Sequence, residues 1–191
     1  QLNRVFDDLE RSELGSPGDL ERWLGDESEL AAALSQEQAL RYIRMTCQTD
    51  DPEREKAYLS FIENIEPLSK IRFSTLDRKY LDTPARKNLP PDHYFVLDRR
   101  RSNNVALFRK ENVELEKEEA KLAQKFLKTA GAMTAFYDGQ ERTMQQLARY
   151  LEEPNRKVRE ETWLLGENRR QKDRDALDEV FDQLLAIRQK I

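Results

Sequence analysis

The chain has 191 residues, with 33 Lys+Arg against 37 Asp+Glu, one His, one Cys and a formal net charge of -4. That length holds one domain or a little more with a real core, and 37% charged residues with only 6 Gly and 7 Pro suit long helices better than a turn-rich sheet protein. A helical HExxH zinc site needs two His, so a chain with one His does not carry that site by itself.

In chain order, apolar spacing predicts a first helix over Leu2 to Leu14, with Leu2, Val5, Phe6 and Leu9 on one stripe, ending at the Gly15-Ser16-Pro17-Gly18 breaker. A short helical turn from Asp19 to Leu24 closes at Gly25, and a second short helix runs from Ser28 to Leu34. Ser35 then caps a helix from Gln36 to Thr49, Gln38 completing a capping box, with Leu40, Ile43 and Cys47 facing inward beside Tyr42 and Met45. Asp50-Asp51-Pro52-Glu53 reads as a stop and restart. The helix it opens carries Tyr58, Phe61, Ile62 and Ile65, bends or restarts at Pro67, and continues through Leu68, Ile71, Leu76, Tyr80 and Leu81.

Three prolines make Asp82 to Asp92 a loop, and a helix from Pro91 to about Val105 follows. A charged helix over roughly Asn112 to Thr129 shows a narrow apolar seam of Leu115, Leu122, Phe126 and Leu127. Met133 to Tyr137, the Asp138-Gly139 turn pair and Gln140 to Arg142 predict a β-hairpin. Thr143 with Gln146 caps the next helix, where Met144, Leu147, Ala148 and Leu151 point inward; Pro154 opens another to about Arg170. The last helix, Asp173 to Ile191, has the cleanest stripe: Leu177, Val180, Phe181, Leu184, Leu185, Arg188 and Ile191. The fold class is mainly α, a multi-helix bundle with one short β-hairpin at about residues 133–142. We read 1–191 as one helical domain, divisible into sub-lobes 1–90 and 91–191.

Few residues invite a chemical role. His93 stands at a loop-to-helix start without evident partners and reads as a turn or cap histidine. Glu114, Glu116, Lys117, Glu118, Glu119 and Lys121 read as a solvated helix face. Arg99-Arg100-Arg101 with Arg109-Lys110 could make an anionic-ligand patch interleaved by Tyr94, Phe95 and Phe108, but acidic neighbours dilute it and no groove-reading motif accompanies it, so nucleic acid is not an expected partner. The alternative is that these arginines pair with carboxylates elsewhere in a larger protein. No apolar run approaches the roughly 18 residues that span a bilayer, and the first residues lack a signal pattern, so no membrane partner is expected either. A single Cys47 fits a reducing, cytoplasmic setting. Gln1 in place of Met, and an apolar helix running to Ile191, suggest a piece of a longer chain.

A specific resemblance emerges in FYDGQERTMQQLARYLEEPNRKVREETWLLGENRR, Phe136 to Arg170. A hairpin with Gly139, a helix begun by Thr143, then Leu147, Tyr150, Leu151, Arg156, Arg159, Glu160, Trp163, Arg169 and Arg170 follow in the order found in the N-terminal region of the oligoendopeptidase F and thimet-oligopeptidase-like zinc metallopeptidases. Asn155 stands where Asp is common in that pattern. The segments ELAAALSQEQALRYIRMTCQTDDPEREKAYLSFIENIEP, HYFVLDRRR and DRDALDEVFDQLLAIRQKI are similar to the same family, so the resemblance covers nearly the whole chain.

The resemblance implies a helical N-terminal part that walls a peptide channel and docks on a C-terminal catalytic domain. Zinc there is held by the two His of HExxH and a downstream Glu, positions absent from this chain. No catalytic, cofactor-binding or metal residue is therefore carried over, zinc is expected only in the longer protein, and no substrate-contacting residue is assigned. The matched residues read as scaffold: turn, caps, packing and arginine pairing. The competing reading is a helical interaction module that binds a partner helix through the Leu177 to Ile191 stripe.

Overall fold

A computed structural model describes the chain from Gln1 to Ile191. It is mainly helical with one two-stranded hairpin, as the sequence predicts. The elements form two compact units, Gln1–Glu114 and Leu115–Ile191.

The first unit opens with α1 (Leu2–Arg11) and α2 (Pro17–Cys47). The 31 residues of α2 are one helix, where the sequence suggested three pieces. Its capping box lies at Ser16: the Ser16 Oγ accepts from the Asp19 N–H at 3.2 Å, and Asp19 Oδ2 accepts from the Ser16 N–H at 3.0 Å. Ser35 and Gln38 sit inside the helix instead, and Gln38 Nε2 donates to Glu66 Oε2 at 3.3 Å. Gly25 does not end it, because a mid-helix glycine costs only about 1 kcal/mol while Leu20, Trp23 and Glu27 are buried on the same stretch. The far end of α2 also turns differently from expectation. Met45 is buried, whereas Leu40, Ile43 and Cys47 are exposed.

Asp51 Oδ1 accepts from the N–H groups of Glu53 and Arg54 and starts α3 (Pro52–Asn64), which buries Phe61 and Ile62. The chain breaks at Ile65 and restarts as α4 (Glu66–Asp82), Pro67 lying in its first turn. A 3-10 turn at Pro84–Asn88 occupies the proline-rich loop, and α5 (Pro91–Leu107) follows. Packing of α5 on α4 puts it in the first unit. The core here joins Phe6 and Leu9 of α1, Leu20 and Trp23 of α2, Leu76 and Tyr80 of α4, and Ala85 and Leu89. Lys79 Nζ closes the end of α1 by donating to the carbonyls of Leu9, Glu10 and Ser12.

Helix α6 (Asn112–Gly131) bridges the boundary in sequence. Its expected seam is only half right: Leu115 and Leu122 are half-buried, but Phe126 and Leu127 are exposed, and the buried side chains are Val113 and Gln124. The hairpin of β1 (Thr134–Tyr137) and β2 (Gln140–Thr143) pairs Thr134 with Thr143 and Tyr137 with Gln140. Asp138 at φ 52° and Gly139 at φ 71° supply the two left-handed positions of the turn.

Thr143 and Gln146 form the predicted capping box on the short α7 (Met144–Ala148), which continues as a 3-10 turn at Arg149–Glu152. The final helix α8 (Arg156–Arg188) is a single 33-residue rod, not two helices. Nothing at Gln171-Lys172 breaks it, and an Arg169–Asp173 ion pair at 2.5 Å bridges that point.

Candidate functional site

The segment carrying the strongest sequence resemblance folds as the hairpin, α7 and the first half of α8. Most of its residues have structural partners. Asn155 Oδ1 accepts from the Lys157 N–H and caps α8. Tyr150 meets Tyr137 edge-on with ring centroids 4.9 Å apart, and the Arg142 guanidinium lies over the Tyr150 ring at 5.1 Å. Burial, then the negative charges of Glu161 and Asp138, push the Tyr137 phenol above its ordinary pKa, so it stays a hydroxyl. Arg159 Nη1 donates to the carbonyls of Glu153 and Pro154, bracing the turn before α8. Arg169 pairs with Asp173 and Arg170 with Glu167. Leu147 is buried.

Trp163 is the exception. Its indole is 54% exposed, beside Leu151 at 41% and Leu164 at 46%. Together with Arg156, Arg159 and Glu160, Trp163 and Leu151 line an open cleft of about 530 Å³. Leu151 and Trp163 also border a pit of about 30 Å³, walled further by Met144, Leu147, Ala148, Thr162, Gly166 and Arg170. The first turn of α8 holds Arg156 and Lys157 and no carboxylate. Cations there oppose the helix dipole and are unfavourable by roughly 0.3–1 kcal/mol each; of them Arg156 lines the cleft, beside Arg159 and the carboxylate Glu160. An apolar ring face next to a guanidinium suits a chain carrying apolar side chains and a carboxylate.

Sequence reasoning placed Trp163 among the scaffold. The signal against that is helical phase. Thr162, Gly166 and Val180 are buried, and Arg169, Asp173, Leu177, Leu184 and Ile187 are half-buried, a stripe of three- and four-residue steps that passes beside Trp163. Phe181, Leu185, Arg188 and Ile191, members of the apolar stripe read from the sequence, lie off that buried stripe and are exposed.

The other sequence candidates are separated. His93 is exposed in the first turn of α5, its backbone N–H bonded to the Pro90 carbonyl. The Arg99-Arg100-Arg101 run is split by burial: Arg99 lies over the Phe95 ring at 5.5 Å, while Arg101 is only 6% exposed. Arg101 Nη1 donates to Asp77 at 2.9 Å and to Glu27 at 3.2 Å, Nη2 donates to Glu27 Oε2, and the guanidinium lies 4.9 Å from the Tyr80 ring centre. Asn104 Nδ2 donates to the other oxygen of Asp77 at 3.1 Å. No group of three or more His, Cys, Asp or Glu is placed to hold a metal ion, so the residues present do not fit a zinc centre.

No protein-family model matches the sequence, and no curated protein matches it. Solved structures do. Pz peptidase A with inhibitor 2 superposes with a TM-score of 0.86 at 22% identity, over 98% of this chain and 33% of that one. A protein from Bacillus anthracis strain Ames assigned as an oligoendopeptidase F gives 0.88 at 17% identity, over 99% and 34%. Another chain so assigned gives 0.87 at 25% identity, over 98% and 33%. The fold is that of one third of an oligoendopeptidase F chain. The resemblance read from the residues thus holds in three dimensions over nearly the whole chain. The chain spans about a third of the length of the proteins it matches.

Proposed function

We propose that the chain is the N-terminal, non-catalytic part of a zinc metallo-oligoendopeptidase that hydrolyses short peptides, forming a wall of the substrate channel and docking on the catalytic domain. One observation carries the reading: nearly the whole chain has the fold of a third of oligoendopeptidase F-type chains. The remaining two thirds of such a protein would supply HExxH, the third zinc ligand and the water-activating Glu; zinc there would polarise the scissile carbonyl and lower the pKa of a bound water. The contribution of this chain is confinement. The cleft at Leu151, Trp163 and Arg156 is the surface best suited to hold an extended peptide, its ring face taking an apolar side chain and its guanidinium a carboxylate.

The test is steady-state cleavage of a quenched fluorescent peptide by the polypeptide extended through the rest of its reading frame. Trp163→Ala and Arg156→Ala are expected to raise KM several-fold and leave zinc content unchanged. Unchanged KM in both would remove the cleft from the proposal.

The interaction-module reading keeps one specific support, the exposed Phe181 and Leu185 of α8 and Ile191 past its end. In the peptidase reading the catalytic domain covers them. An HExxH in the continued reading frame decides between the two, and its absence over a few hundred residues favours the module.

A further inference from the structure

A second cleft lies within the first unit, where the turn joining α5 to α6 crosses α4. Its volume is about 380 Å³, and it is lined by Ile71, Ser74, Thr75 and Arg78 of α4 and by Phe108, Arg109, Lys110 and Glu111 of the turn. Ligand sites commonly have volumes of about 300–1,000 Å³.

Its polar groups are unusual for this protein. Serine and threonine hydroxyls inside these helices generally donate to the carbonyl four residues earlier. Ser69 does so to Ile65 at 2.8 Å, Thr75 to Ile71 at 3.3 Å and Thr162 to Val158 at 2.8 Å. Ser74 does not: it is only 7% exposed, and its Oγ has no hydrogen-bond partner. A buried hydroxyl left in that state is unfavourable unless something meets it.

The cations around it are equally uncommitted. Most arginines of the chain touch a carboxylate or a ring, but Arg78 and Lys110 form no ion pair. Arg109 is held in place by donating Nη1 to the carbonyls of Ala106 and Phe108, both at 2.9 Å, which leaves its other guanidinium donors free. Glu111 is the one carboxylate in the lining.

We propose that this cleft binds a phosphate monoester carrying a small apolar group, with Arg78, Arg109 and Lys110 neutralising the phosphoryl oxygens, the Ser74 hydroxyl donating to one of them, and Ile71 and Phe108 covering the apolar part. Charge selects the class. A monoester carries about -1.5 to -2 and three acceptor oxygens at neutral pH, which matches three cations diluted by one carboxylate; a carboxylate ligand has half that charge and fewer acceptors.

The experiment is a 15N NMR titration of the chain, at fixed ionic strength, with phenyl phosphate, inorganic phosphate and benzoate. Phenyl phosphate is expected to give saturable shifts confined to residues around 71–78 and 108–111, with inorganic phosphate weaker and benzoate weaker by about tenfold or more. Arg78→Ala and Lys110→Ala, both at accessible side chains, should each weaken phenyl phosphate by roughly fivefold to tenfold, and Ser74→Ala by about fivefold. Alanine is the better helix former, so Ser74→Ala retains α4, and circular dichroism confirms the fold of each variant. The inference is overturned by the absence of saturable shifts, by benzoate binding as tightly as phenyl phosphate, or by unchanged affinity in Ser74→Ala or Arg78→Ala. None of these results bears on peptide cleavage, so this inference and the proposed function fail separately.

Discussion

Arg101→Met is the sharpest perturbation of the first unit. In the folded chain Arg101 stands between two buried carboxylates, Glu27 at 6% and Asp77 at 8% exposure. Because both bond the same Nη1, at 3.2 and 2.9 Å, the bonded oxygens lie no more than about 6 Å apart. Two unit negative charges at about 6 Å repel by roughly 2.8 kcal/mol at an effective dielectric constant of about 20. With the lost charged hydrogen bonds added and side-chain relaxation subtracted, the variant should lose about 3–5 kcal/mol, as breaking a buried ion pair generally does. Stability is to be read from urea unfolding followed by tryptophan fluorescence. The two Trp fall one in each unit, so Trp163→Phe leaves the buried Trp23, 5.7 Å from the Arg101 guanidinium, as the sole reporter of the first unit. At an m-value of about 2 kcal/mol/M, the midpoint should fall by roughly 1.5–2.5 M. Glu27→Met combined with Arg101→Met removes one of the stranded charges and should unfold later than Arg101→Met alone. A loss below about 1 kcal/mol, or a double variant no better than the single, would refute the idea that charge pairing dominates this core.

Three further outcomes test smaller parts of the structure. The Arg72 hydrogen bond at 2.5 Å holds the Asp7 carboxyl below its ordinary pKa. A depressed carboxylate contributes stability that is present above its unfolded-state value and lost as pH falls through the folded one, so the thermal midpoint should drop in that acid range, and drop less in Asp7→Asn. Gly139→Val forces a β-branched residue to φ 71° and should cost about 1–2 kcal/mol, with faster amide exchange confined to the hairpin. Exposed Cys47 should react stoichiometrically with a thiol reagent without denaturant; protection until unfolding would restore the inward-facing assignment.

Local chemistry was legible wherever one residue type has one physical use. Asp138-Gly139 set the hairpin because two left-handed positions leave few other residues, and Thr143 with Gln146 marked a helix start through two reciprocal bonds. Helix continuity was harder. Gly25 resembles a stop and Ser35 a cap, yet a mid-helix glycine is weaker than the burial of Leu20 and Trp23, and a serine caps only where the backbone is already leaving the helix. The phase of α8 was harder still. Phe181 and Leu185 are as apolar as Leu177 and Leu184, and composition does not show which half of a wide apolar face meets the core. The same ambiguity hid the exposed Trp163. The Arg101 network was not visible: the sequence points the arginine run toward carboxylates elsewhere in a larger protein, whereas its partners lie within this chain, 24 and 74 residues away.

The decisive comparison is of zinc content and peptide hydrolysis, measured side by side for the 191-residue chain and for the polypeptide extended through its reading frame. Neither activity nor stoichiometric zinc is expected in the shorter form, and both are expected in the longer. Hydrolysis with bound zinc in the 191 residues alone, or a longer form with neither, would contradict the proposed function.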